Sequence, residues 1–169
     1  VRRLRGENGC PWDRVQTHES LRTAMIEEAY EAVDAIDKGD MANLCEELGD
    51  VLLQVVFHAE LEAERGGFTM EDVLRGVCDK LIYRHPHVFG TGEVKADTPE
   101  QVLVNWEKLK KKEKKAETQT ELMQNVPAAL PAMLRAVKVQ KKAADVGFDF
   151  PVTVQAMEKV HEEVRELEE

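Results

Sequence analysis

The sequence predicts an all-α protein, built as an up-down helical bundle. Apolar residues recur at helical spacing along several segments, glycines and prolines separate those segments, and none of them reads as a β-strand. Hydrophobic residues make up 43% of the 169 residues and charged residues 33%, so the chain can bury a core and keep a solvated surface. Short connections between amphipathic helices are typical of such bundles.

Two helices are predicted in the first part of the chain, after an irregular lead-in (residues 1–16) that Gly and Pro interrupt. The first helix runs from Thr17 to Lys38, and Gly39 ends it. Asp40 is the predicted N-cap of a second helix over 41–65. The middle of that helix is apolar almost all round, so we expect it to be buried on more than one side, in a bundle or at a subunit interface.

Four further helices are predicted. Thr69 and Asp72 form a cap signal for a third helix that reaches about Tyr83, and Pro86 and the glycines at 90 and 92 mark a loop. The capping sequence at 98–101 begins a fourth helix.

Pro127 and Pro131 bracket a junction between two parts of the chain. We predict a first domain over residues 1–125 and a second element over 126–169. The second element contains a fifth helix at 132–144 and a sixth that reaches the end of the sequence.

Charge and cysteine content limit the partners. The formal net charge of −10 disfavours binding to DNA, RNA or anionic lipid, and no apolar run approaches the roughly 18 residues that cross a bilayer. Three cysteines without a CxxC spacing indicate a reducing compartment, so we expect a cytoplasmic protein. Cys45 and Cys78 are interpreted as core residues.

Four acidic residues form the candidate metal site. Glu28 and Glu31 lie one turn apart on the first helix, and Glu47 and Asp50 repeat this spacing on the second. The short connection brings both pairs together in an antiparallel hairpin. Like charges at this spacing destabilise a helix by about 0.2–0.5 kcal/mol per pair, and no Lys or Arg occupies the strip. A hard divalent cation with oxygen ligands, Mg²⁺ or Mn²⁺, would relieve them. The competing interpretation is a solvated acidic face.

These motifs together resemble the MazG family of nucleoside triphosphate pyrophosphohydrolases, over roughly residues 5–115. The resemblance rests on the EExxE and ExxD motifs and on the sequence segments around them. The further matching segments are Gly9-Cys10-Pro11-Trp12-Asp13, Glu46-Glu47-Leu48-Gly49-Asp50, Lys80-Leu81 with Arg84-His85-Pro86-His87-Val88-Phe89, and Asn105-Trp106-Glu107-Lys108.

The resemblance implies an all-α enzyme, completed as a homodimer, that hydrolyses NTPs or dNTPs to the monophosphate and pyrophosphate with Mg²⁺. Metal ions would bridge phosphate oxygens and activate a water that attacks the α-phosphorus in line. Carried over by position, the metal ligands are Glu28, Glu31, Glu47 and Asp50. Glu27 is a candidate for support of these ligands or for an alternative base.

Four residues outside the acidic cluster are candidates for substrate binding. Lys80 and Arg84 lie one turn apart at the end of the third helix and can reach the same phosphates. Their alternative role is to cap that helix. Trp106 is expected either to stack on a base or to sit in the core, with Lys108 nearby.

The end of the sequence repeats the first acidic motif. Glu162-Glu163-Val164-Arg165-Glu166 matches EExxE and looks like the first helix of a second, incomplete MazG copy, so we expect the parent protein to continue beyond Glu169. A di-iron carboxylate bundle is disfavoured because only one Glu-x-x-His motif is present, at 158–161. The main alternative to an enzyme is a non-catalytic helical dimerisation module.

Overall fold

The computed structural model describes residues 1–91, 94–113 and 118–168 of the chain. These residues form ten helices and no strand, which confirms the predicted all-α class. The chain divides into two compact units, residues 1–97 and 98–169. None of the described helices is long and apolar enough to cross a membrane.

The first unit contains six helices: α1 Arg2–Arg5, α2 Pro11–Val15, α3 Arg22–Lys38, α4 Met41–Glu64, α5 Met70–Arg84 and α6 Pro86–Phe89. The prediction of an irregular lead-in was therefore wrong, and so was the prediction of a plain loop at Pro86. Pro11 and Pro86 each occupy the first position of a short helix, where no backbone N–H is needed.

The helix α3 begins five residues later than predicted, at Arg22 instead of Thr17. The backbone N–H of Thr17 donates to the Ser20 hydroxyl at 2.9 Å, and the N–H of Ser20 donates to the Thr17 hydroxyl at 3.2 Å. These side-chain bonds hold a turn that competes with helix before Arg22.

The helices α3 and α4 form an antiparallel hairpin with a two-residue connection, as predicted. Gly39 adopts the left-handed conformation, with φ of +69°, and its N–H bonds back to α3. The Asp40 side chain accepts a hydrogen bond from the N–H of Asn43 and so caps α4. This tight connection places the end of α3 beside the start of α4.

The buried core of the hairpin is small. Leu21, Phe57 and Leu61 form its centre, and Ala32 and Ala35 let the two helices approach closely. The lead-in is fastened to α4 by Arg5, whose guanidinium bonds to the Glu64 carboxylate and to two backbone carbonyls of the lead-in. That guanidinium also lies 5.5 Å from the centre of the Phe57 ring.

The outward face of α4 is apolar and exposed within the single chain. Met41, Cys45, Leu48 and Leu52 follow one another at spacings of four, three and four residues, and all are exposed. We call these four residues the outer stripe. The interpretation of Cys45 and Cys78 as core residues was wrong, because both are exposed on helix faces turned away from the buried core.

The helix α5 packs against α4 and starts where the sequence indicated. Thr69 and Asp72 form a reciprocal capping box, which satisfies two backbone N–H groups at the start of the helix.

The second unit contains α7 Pro99–Glu113, α8 Gln119–Gln124, α9 Ala132–Ala144 and α10 Thr153–Glu166. The helices α7, α9 and α10 confirm predicted segments. The short helix α8 was missed, although Thr118 and Glu121 supply a capping box at its start.

Candidate metal centre

Three of the four predicted ligands converge on the α3–α4 hairpin. One carboxylate oxygen from each of Glu28, Glu47 and Asp50 lies within 4.8 Å of the other two. All three residues are half-buried. The i, i+3 spacing aligns Glu47 with Asp50 on α4, and the two-residue connection brings Glu28 of α3 beside them.

The electrostatics of this cluster are those of uncompensated negative charge. Burial raises the pKa of Glu28 above its ordinary value, and the charges of Asp50, Glu31 and Glu47 raise it further. Burial also raises the pKa of Glu47, with Glu31 the strongest charged neighbour. Within the described part of the chain, no Lys or Arg forms an ion pair with these acids. The cluster therefore favours either a proton or a cation.

Glu31 lies at the edge of the cluster. It is exposed and does not belong to the three-residue group, but it lies close enough to Glu47 to raise the pKa of that carboxyl. Glu27 is exposed and has the weakest influence on Glu28 among the acids around it.

The donor set fits a hard divalent cation. In octahedral coordination at about 2.1 Å, two ligand oxygens of Mg²⁺ lie about 3–4 Å apart. The oxygens of Glu28, Glu47 and Asp50, within 4.8 Å of one another, need only small side-chain rotations to reach that separation. Oxygen donors without sulfur or imidazole are typical of Mg²⁺ and Mn²⁺ sites.

The predicted phosphate-binding residues lie on the last turns of α5. Lys80 is exposed and Arg84 is half-buried, and they are four residues apart on one face. Trp106 is half-buried and Lys108 is exposed, both on α7 in the second unit. The substrate-binding roles of all four remain predictions.

Sequence reasoning missed two polar features of α4 beyond the carboxylates. His58 Nδ1 lies 2.7 Å from His18 Nδ1, and His18 Nε2 lies 2.8 Å from Glu62. These three residues line an open groove of about 470 Å³ with Met25 and Phe68 among its apolar walls. The second feature is Gln54, which is buried. The only available signal was that Gln54 and His58 interrupt the apolar run of α4.

Comparison with known proteins places this hairpin in a family. A family model described as the MazG nucleotide pyrophosphohydrolase domain matches residues 16–89, which include all four acids and Lys80 and Arg84. A solved structure, a mazG-related protein from Thermotoga maritima, is 30% identical and aligns with a TM-score of 0.52. The alignment covers 66% of this chain and 99% of that one. The chain belongs to the MazG family.

Two longer relatives match most or all of the chain. The protein YabN of Bacillus subtilis, described as uncharacterized, is 51% identical over 83% of this chain and 28% of its own length. A protein named nucleoside triphosphate pyrophosphohydrolase/pyrophosphatase MazG, from Thermotoga maritima, is 46% identical over 100% of this chain and 64% of its own length. The chain therefore spans less than two thirds of these relatives.

Proposed function

We propose that this chain hydrolyses nucleoside triphosphates, NTPs or dNTPs, to the monophosphate and pyrophosphate with a divalent cation, Mg²⁺ or Mn²⁺. The observation that carries the proposal is the convergence of Glu28, Glu47 and Asp50 on one hairpin inside the region that matches the MazG domain. The name of the Thermotoga maritima relative supports the same reaction.

The acids would hold the cation between the two helices. Glu28, Glu47 and Asp50 would supply three oxygens, and Glu31, whose charge raises the pKa of Glu47, would complete the set by turning toward it. A divalent cation held by these acids would neutralise phosphate charge and would make a water more acidic for attack on the α-phosphorus. No covalent nucleophile is needed.

The basic residues of α5 would offset the repulsion between an acidic protein and a polyanionic substrate. The net charge of the chain is −10, so binding of a triphosphate needs local positive charge. Arg84 can grip a phosphate through two N–H groups, whereas Lys80 acts as a point charge on the same helix face. Trp106 and Lys108 of α7 stay candidates for contact with the base, Trp106 by stacking.

The direct test is release of pyrophosphate from each of the common NTPs and dNTPs in the presence of Mg²⁺. We expect pyrophosphate, not orthophosphate, as the product, and we expect Glu47→Gln to abolish its release. Glu46→Gln is the matched control, since Glu46 is the exposed neighbour outside the three-residue group. It makes the same change of charge and should keep at least half of the activity.

A second candidate function is a non-catalytic helical dimerisation module, and the outer stripe of α4 favours it. The spacing of Met41, Cys45, Leu48 and Leu52 is that of a helix–helix seam. Both candidate functions predict a homodimer, so the oligomeric state does not distinguish them. The pyrophosphate assay does. Lack of product from every nucleotide, with Mg²⁺ bound and the fold intact, would favour the module.

We further propose that residues 126–169 begin a second MazG-like copy, joined to a first domain at 1–125. The helix α10 carries Glu162, Glu163 and Glu166 at the spacing that Glu27, Glu28 and Glu31 have on α3. In α10, however, Lys159 lies 2.7 Å from Glu162. Glu162 is the counterpart of Glu27, so this ion pair does not involve Glu163 and Glu166, the counterparts of the proposed metal ligands Glu28 and Glu31.

A further inference from the structure

We propose that the side-chain amide of Gln54 binds the nucleoside part of the substrate by hydrogen bonding. The inference rests on the proposed function, which puts a nucleoside triphosphate at the neighbouring carboxylates. It assigns a role to a residue that carries no charge and lies outside the acidic motif.

Gln54 is the buried polar residue of α4. It is only 7% exposed, and its Oε1 atom is buried and accepts no hydrogen bond from any residue that the structure describes. A buried amide group without a partner is energetically unfavourable, so its place in a core calls for an explanation.

The position of Gln54 on α4 connects it to the carboxylates. It follows Asp50 by four residues, which puts both on the same helix face and about 6 Å apart along the axis. Side chains on a helix generally lean toward its N-terminus, which from Gln54 is the direction of Asp50. Phe57, three residues further on, belongs to the buried core. Gln54 thus lies at the boundary between the acids and the apolar centre.

Gln54 Oε1 needs a hydrogen-bond donor, and this need decides which part of the substrate it can bind. Phosphate oxygens are acceptors and cannot donate to Oε1, whereas ribose hydroxyls and the exocyclic amines of bases can. The sugar is joined directly to the α-phosphate, so a substrate whose α-phosphate lies at the carboxylates carries its nucleoside within about one helical turn of them. An amide can both donate to and accept from a hydroxyl, and it does so without adding charge to an acidic site.

The competing explanation is that Gln54 only fills space in the hairpin. In that case an apolar residue of similar size should be harmless or should stabilise the fold, and nucleotide binding should not change. The two explanations therefore agree on stability and differ on binding.

The experiment measures the dissociation constant of a non-hydrolysable α,β-methylene NTP with Mg²⁺, the KM and kcat for the matching NTP, and the Tm. The variants are Gln54→Leu and Gln54→Met; the unbranched Met keeps the test valid if Leu disturbs packing. We expect the dissociation constant and the KM to rise at least tenfold, kcat to change less than threefold, and the Tm to stay the same or rise. Inhibition by inorganic tripolyphosphate, which has no nucleoside, should change less than twofold.

A set of substrates identifies the bonded group. A loss confined to ribonucleotides assigns the 2′-hydroxyl, a loss confined to adenine and cytosine nucleotides assigns the exocyclic amine, and an equal loss for all assigns the 3′-hydroxyl. An unchanged dissociation constant in a folded variant would overturn the inference, as would an equal loss of tripolyphosphate binding. A wild-type protein that binds the analogue but releases no pyrophosphate would contradict the proposed hydrolysis instead, and the analogue would still test Gln54.

Discussion

Arg5 and Glu64, which are 59 residues apart in the sequence, form a two-bond ion pair. Arg5 Nε and Nη2 donate to the two carboxylate oxygens of Glu64 at 2.8 and 2.7 Å. The remaining nitrogen, Nη1, donates to the backbone carbonyls of Asp13 and Gln16. One side chain thus joins the lead-in, which includes the exposed Trp12, to the second half of α4.

Loss of this side chain should destabilise the first unit. The Arg5 side chain is only 8% exposed, and its removal leaves two carbonyls and the Glu64 carboxylate without their donors. We expect Arg5→Ala to lower the free energy of unfolding by about 2–3 kcal/mol, measured by urea denaturation. Arg2→Ala is the matched control. The Arg2 side chain is 83% exposed although it also pairs with an acid of α4, and its loss should cost less than about 1 kcal/mol. Equal losses for both variants would contradict this account.

The contact between His18 and His58 should make stability depend on pH. Burial lowers the pKa of His58 below its ordinary value, and the charge of His18 lowers it further. The unfolded chain therefore takes up this proton at a higher pH than the folded chain does. The contribution of neutral His58 to the stability of the fold is complete above the ordinary histidine pKa of about 6.5. It is lost as the pH falls through the lower pKa that His58 has in the folded chain.

Urea denaturation between pH 5 and 8 checks this dependence. His58→Gln should flatten the curve by up to about 1.4 kcal/mol per pH unit in that window. The exposed His161 in the second unit is the control, and His161→Gln should leave the curve as it is. A wild-type curve parallel to that of His58→Gln would show that His58 titrates alike in both states.

The outer stripe should hold two copies of the chain together. Leu52 is 56% exposed within the single chain, and its neighbours on the stripe are also apolar. We expect light scattering to report about twice the chain mass of 19.1 kDa for the wild type and a single chain for Leu52→Glu. The control is Val15→Glu, an equally drastic change at an exposed apolar residue outside the stripe. A wild-type protein that stays at the mass of one chain at every concentration would contradict the dimer.

The local features of the hairpin were predictable from the sequence. Gly39 and Asp40 indicate the turn between α3 and α4. Once that turn is known, helical periodicity predicts that Glu28, Glu47 and Asp50 face one another. Glu31 could not be separated from the other three acids, since its distance from them depends on side-chain rotation at the edge of the helix.

Long-range contacts were not predictable. His18 and His58 are 40 residues apart, and their meeting depends on how the lead-in folds over α4. The same holds for Arg5 and Glu64. The burial of Gln54 was not predictable from the sequence, because a single glutamine in an apolar run does not indicate which side of the helix is covered.

Neutralisation of one acid should stabilise the metal-free protein and remove most of its response to Mg²⁺. The charges around Glu28 are all of one sign, so Glu28→Gln removes repulsion from Asp50, Glu31 and Glu47. We expect this variant to have a higher Tm than the wild type without metal. With Mg²⁺ the wild-type Tm should rise and the variant should lose most of that rise. Glu27→Gln, on the exposed neighbour, should respond to Mg²⁺ as the wild type does.

The shared cation between α3 and α4 is tested most directly by the anomalous scattering of Mn²⁺ in crystals of the protein. We expect a peak about 2.2 Å from carboxylate oxygens of Glu28, Glu47 and Asp50, and no such peak in Glu47→Gln crystals grown at the same Mn²⁺ concentration. No peak at these residues at saturating Mn²⁺, or a peak held by other groups, would contradict it.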